Sequence, residues 1–126
     1  MKRFEHLLWV LAEECNEVGQ RASKAARFGL AEIQPGQPLN NAERLVDEYA
    51  DLLGAMELLV EGGFIALPSN EAMRKKIDAK KAKVDKFLAY SAQCGTLDAD
   101  EQGGWMGKLK KIFGKADKPL QATTGE

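Results

Sequence analysis

Five carboxylates in two short stretches have the residue types and the spacing to hold a hard metal ion. Glu13, Glu14 and Glu17 form the first set, and Glu48 and Asp51 the second. On a helix turning about 100° per residue, the first three lie at about 0°, 100° and 40°, so one face carries them all. Glu48 and Asp51 stand at i and i+3 and share a face in the same way. Each set adjoins an apolar stripe: Leu7, Val10, Leu11 and Val18 for the first, and Leu45, Tyr49 and Leu52 for the second. At about 5 Å and an effective dielectric near 20, each like-charge pair repels by about 3 kcal/mol. Within three or four residues of these five, the only cations are Arg44 and, one turn beyond Glu17, Arg21. Such spacing fits either a solvated acidic face or a divalent-cation site built from oxygen ligands. With no imidazole or thiolate in the set, the cation it suits is Mg²⁺ or Mn²⁺ and not zinc.

The elements that would position these groups are helical. Leu7, Leu8, Leu11, Val18, Ala22, Ala25 and Ala26 recur at helical spacing and predict a helix from Phe4 to about Phe28, with Gly29 as its stop. Ala31 to Asn41 holds two prolines, a glycine and two asparagines, the composition of a loop. Asn40 or Asn41 is placed to cap a second helix running to about Glu61, where Gly62 and Gly63 end it. Ser69 caps a third, running to about Gln93, with Met73, Ile77, Val84 and Leu88 as its buried stripe. Trp105 to Phe113 predicts a short, basic amphipathic fourth helix, suited to a membrane, to DNA or to a neighbouring subunit, with the last as the expectation. No strand pattern and no internal repeat stands out. The expected fold class is all-α, a bundle of three to five helices, with a core domain over residues 1–94 and a polar loop, short helix and tail over 95–126.

Composition narrows the function classes. The 126 residues are 44% hydrophobic and 29% charged, ordinary for one soluble globular domain. A chain of this length can bury one core without disulfides or structural zinc. The formal net charge of −1 excludes a generally basic nucleic-acid binder. The halves differ, however: residues 1–61 carry 6 basic and 11 acidic side chains, and residues 62–126 carry 12 basic and 8 acidic. An acidic half must bind cations or hold its carboxylates apart, and a basic half can meet an anion. Two cysteines make no disulfide framework, so a reducing cytoplasm is the expected location. Glu5, Glu13 and Glu14 interrupt any signal-peptide core, and no apolar run approaches the roughly 20 residues that span a membrane.

Glu13-Glu14-Cys15-Asn16-Glu17 followed by Glu48-Tyr49-Ala50-Asp51 matches the pattern E-E-x-x-E … E-x-x-D. In this the chain resembles the MazG-like, all-α nucleoside triphosphate pyrophosphohydrolases. The flanking Leu11-Ala12, Ser23 to Gly29, Gln34-Pro35-Gly36-Gln37 and Asp51-Leu52-Leu53 look like phage-encoded members, and the resemblance covers roughly residues 5–93. Thirty residues separate Glu17 from Glu48, slightly more than is usual in the family, and the loop at 31–41 takes up the excess.

The resemblance implies Glu14, Glu17, Glu48 and Asp51 as Mg²⁺ ligands, with Mn²⁺ as a substitute. It implies Glu13, Glu14 and Glu17 as the catalytic group, with Glu13 an outer group, an added ligand or the base. It further implies hydrolysis of a nucleoside or deoxynucleoside triphosphate to monophosphate and pyrophosphate, by water attacking the α-phosphorus. A homodimer or homotetramer that completes the base pocket follows from it too, as does control of a nucleotide pool, with purine dNTPs such as dGTP among the substrates of some phage relatives.

Cations for the phosphates are less sharply patterned. Lys24 and Arg27 lie past the acidic face of helix 1 and suit the β- and γ-phosphates or simple surface charge. On helix 3 one of Lys80 and Lys83 is the expected phosphate contact, while Lys75, Lys76 and Lys86 are expected to be solvated. Trp9 suits a base stack, a core or a subunit interface, and His6 a helix face. Two further classes share the same residues. One is a catalytically weak helical module that binds metal and nucleotide. The other is a nucleic-acid or partner-binding protein using the lysines of the C-terminal half. With the acidic set intact, the enzyme is the expectation, with no nucleic-acid or membrane partner.

Overall fold

Local capping chemistry sets where each helix starts and stops. The computed structural model describes residues 1–98, all helix or connector, with no strand among them. Helix α1 spans Arg3–Phe28, α2 spans Asn41–Glu61 and α3 spans Asn70–Gln93. The Lys2 N–H donates to Glu5 Oε2 at 2.7 Å and closes the first turn of α1. Gly29 ends that helix at φ 96°, a backbone angle that favours glycine, and its N–H donates to the Ala25 carbonyl at 2.9 Å. Asn40 and Glu43 form a reciprocal box at the start of α2, each side chain accepting from the other's N–H at 2.9 Å. Ser69 Oγ accepts from the Ala72 N–H at 3.2 Å and starts α3. The amphipathic segment expected at Trp105–Phe113 lies outside the described residues.

The chain divides into two compact units, Met1–Pro68 and a second that begins at Ser69. In the first, α1 and α2 pack side by side and run antiparallel. The start of α1 meets the exit of α2 through the Phe4 and Phe64 rings, 5.9 Å apart. The end of α1 meets the start of α2 through the connecting loop. Asn41 organises that loop. It is 3% exposed, and its Nδ2 donates to the Gly29 carbonyl and to Glu32 Oε2, both at 2.8 Å. Its backbone N–H donates to the Glu32 carbonyl, and that of Ala42 to the Leu30 carbonyl, each at 3.0 Å. Truncating Asn41 leaves a carbonyl and a carboxylate without their donor. Asn41→Ala is therefore expected to destabilise the fold by about 1–3 kcal/mol, read as a lowered urea midpoint at unchanged slope. An unchanged midpoint would remove the latch role.

The buried apolar set is small: Leu7, Ala25, Ala55 and Leu59, the last 1% exposed. Leu11, Val18, Leu45, Leu52 and Met56 are half-buried around it. Of the stripe expected on α1, Leu8, Ala22 and Ala26 are exposed. A helix with one neighbour in its unit covers a narrower arc than its apolar periodicity offers. The stripe expected to be buried on α3 is also different. No residue of α3 is buried; Ile77 and Val84 are exposed, and Met73 and Leu88 half-buried. Periodicity marks a face without supplying what covers it. Trp9, Val46 and Tyr49 stand more than half exposed. Among the described residues, no helix is long and apolar enough to cross a membrane.

Candidate metal centre

Because α1 and α2 run antiparallel in contact, the acidic turn of one faces the acidic turn of the other. Oxygens of Glu14 and Glu17 on α1 and of Glu48 on α2 all lie within 4.8 Å of one another. Glu14 and Glu48 are half-buried, and Glu17 is exposed. Among the described residues one cation touches the group: Arg21, one turn after Glu17, whose Nε donates to Glu48 Oε1 at 3.0 Å. Both side chains of that pair are largely shielded, at 16% and 17% exposure.

The electrostatics follow from this crowding. Partial burial holds the Glu14 carboxyl above its ordinary range, and the charges of Asp51, Glu13 and Glu48 push it further. Glu17 is raised too, first by a hydrogen bond shared with Glu48, then by the Glu48 charge, by partial burial and by Glu14 and Glu13. Glu14 Oε2 is cut off from solvent and has no hydrogen-bond partner. A buried carboxylate oxygen without a partner, beside two further carboxylates, is what a cation would satisfy. All the gathered ligand atoms are oxygens, so the group could hold a hard cation.

The raised carboxyls carry a sign that can be measured. In the folded, metal-free protein Glu14 and Glu17 keep protons that the unfolded chain has already released. Their contribution to stability is complete below the ordinary carboxylate range and is lost as pH rises through the raised values. Glu17→Gln removes one of the two groups. In EDTA, the wild type should lose stability relative to Glu17→Gln as pH rises from the ordinary carboxylate range through the raised values, read from urea midpoints. A difference that stays flat or changes in the opposite sense would contradict the crowding.

The other expected site residues are distributed as follows. Asp51 is exposed and stands outside the group gathered within 4.8 Å, yet close enough for its charge to act on Glu14. Glu13 is exposed, and its charge reaches both Glu14 and Glu17. Lys24 is half-buried on α1. The Arg27 guanidinium lies 4.9 Å from the centre of the Phe28 ring. Lys80 and Lys83 are exposed on α3, in the second unit. Sequence reasoning missed Arg21 as a site residue. Its one signal was the i+4 step from Glu17, which placed it on the acidic face without saying that it reaches Glu48.

A groove of about 500 Å³ runs along α1 beside the cluster, lined by Trp9, Ala12, Glu13, Asn16, Glu17 and Gln20. It joins an aromatic face and two carboxamides to two members of the acidic set. Comparison with known proteins returned no match, whether to a family model, a curated protein or a solved structure.

Proposed function

We propose that this chain is a Mg²⁺-dependent nucleoside triphosphate pyrophosphohydrolase of the MazG-like type, releasing a monophosphate and pyrophosphate. The observation that carries the reading is the meeting of Glu14, Glu17 and Glu48 across α1 and α2, from the two halves of the E-E-x-x-E … E-x-x-D pattern. The unpartnered Glu14 Oε2 gives that meeting a purpose.

In this reading Glu14, Glu17 and Glu48 hold the cation, with Asp51 beside them. A bound divalent ion supplies charge neutralisation for the triphosphate and acidity to a water. Arg21 fixes the Glu48 carboxylate through one oxygen. Glu13, exposed beside the cluster, takes the proton of the attacking water. That water attacks the α-phosphorus in line with the pyrophosphate, which leaves with the bond's electron pair. The Trp9 groove has the volume and the stacking face for a nucleobase, while Asn16 and Gln20 offer donors and acceptors to its edge.

Self-association belongs to the proposal. Among the described residues four buried apolar side chains are few for a stable domain, and the exposed Val46 and Tyr49 are the surface a second copy would cover. The proposal includes a role in controlling a nucleotide pool, which the resemblance implies, in a reducing cytoplasm, which the two cysteines suggest. The experiment is a pyrophosphate-release screen over canonical and modified NTPs and dNTPs in Mg²⁺. Release from one or more of them is expected, with purine dNTPs such as dGTP tried first. Failure on all of them would reject the enzyme in favour of a binding module.

A further inference from the structure

Of the three gathered carboxylates, Glu48 alone has an oxygen already taken by a cation. Its Oε1 accepts from the Arg21 Nε, and both side chains of the pair are largely shielded. Among the described residues Arg21 pairs with no other carboxylate. Its Nη1 is cut off from solvent as well, so the guanidinium is enclosed where it sits. Parting such a pair leaves two shielded charges uncompensated, which holds Arg21 on Oε1.

That contact limits what Glu48 can offer an ion. A guanidinium and a metal ion draw on the same electron pairs and repel each other, so Glu48 is left with Oε2. Glu14, Glu17 and Glu48 then supply about one oxygen each. Hard divalent ions differ in how they take such a set. Ca²⁺ gathers about six to eight oxygens, and a carboxylate giving both of its oxygens is a common way to reach that count. Mg²⁺ keeps several waters and needs only one oxygen from each of a few carboxylates.

We propose that Arg21 is a positioning residue that sets ion selectivity: by occupying Glu48 Oε1 it denies the two-oxygen mode and so disfavours Ca²⁺ relative to Mg²⁺. The inference rests on the metal centre of the reading above and is independent of nucleotide hydrolysis.

The test is displacement of Mn²⁺ from the full chain, followed by electron paramagnetic resonance, with Mg²⁺ or Ca²⁺ as competitor and no nucleotide present. In the wild type, Mg²⁺ should displace Mn²⁺ at a concentration no higher than Ca²⁺ requires. In Arg21→Met, the ratio of Ca²⁺ to Mg²⁺ affinity should rise about tenfold. Arg21→Lys returns a charge and a donor to the same oxygen and should bring the ratio back toward the wild-type value. Arg44→Gln is the control for net charge. Arg44 lines a pocket with Arg21 and Glu48, donates to the Gln34 amide at 3.1 Å and, among the described residues, forms no ion pair. Its loss should move both affinities together and leave the ratio unchanged. Easier displacement by Ca²⁺ than by Mg²⁺ in the wild type would overturn the inference, even if Arg21→Met failed to fold. An unchanged ratio in folded Arg21→Met, or an equal rise in Arg44→Gln, would overturn it too while the metal centre stood. Absence of saturable Mn²⁺ binding to the wild type would reject the centre and the inference together.

Discussion

Glu17→Gln is expected to reduce turnover by more than about a hundredfold while leaving a folded protein at least as stable as the wild type in EDTA. The substitution preserves shape and removes one negative charge from a group whose oxygens crowd within 4.8 Å. Repulsion on Glu14 and Glu48 falls, which stabilises the metal-free state, while a cation loses one of its oxygen ligands. Glu48→Gln should match it in activity and differ from it in stability. Glu48 is the partner of Arg21, and both are largely shielded, so neutralising it leaves a guanidinium without its counter-charge. The pair therefore separates two properties. Both variants lose activity, and only Glu48→Gln loses stability, which urea melts alongside steady-state assays would read. If both variants unfolded readily while activity per folded molecule stayed normal, the carboxylates would be structural.

The second large effect concerns the ion. Turnover should vanish in EDTA and return with Mg²⁺ or Mn²⁺, because a triphosphate otherwise brings its negative charges to a face that already repels them. Binding only the folded state, the ion also raises stability, by about 2.7 kcal/mol at a hundred times its dissociation constant. The wild type should thus melt at a higher temperature in Mg²⁺ than in EDTA, and Glu17→Gln should show little of that gain. Full turnover in EDTA would remove the metal from the account. A thermal gain of equal size in Glu17→Gln would place the ion elsewhere on the chain.

Helix boundaries were legible because capping is local chemistry. Asn40, Ser69 and Gly29 each meet backbone groups within a few residues of themselves, so nothing distant has to be known. The acidic faces were legible for a similar reason: i, i+3 spacing makes Glu14 and Glu17 neighbours on any helix. What covers a face was not. Ile77 and Val84 belong to an apolar stripe and are nonetheless exposed, since periodicity carries no information about the partner surface. Leu8 and Ala26 on α1 teach the same lesson. Arg21 went unassigned because its contact with Glu48 depends on the register of α2 against α1. That register is held by long-range contacts, among them the Asn41 latch to Gly29 and Glu32 and the ring contact between Phe4 and Phe64. Asn41 itself was legible only as a possible cap; that it holds the loop from the inside depends on the loop's path.

The most direct test of the account is to run the Mg²⁺ reaction in oxygen-18 water, with a deoxynucleoside triphosphate that the screen identifies as substrate, and to locate the label by mass spectrometry. Attack at the α-phosphorus, from a water activated beside Glu13, Glu14 and Glu17, predicts one labelled oxygen in the monophosphate and none in the pyrophosphate. Label in the pyrophosphate with an unlabelled monophosphate, or a diphosphate and labelled orthophosphate as products, would contradict it.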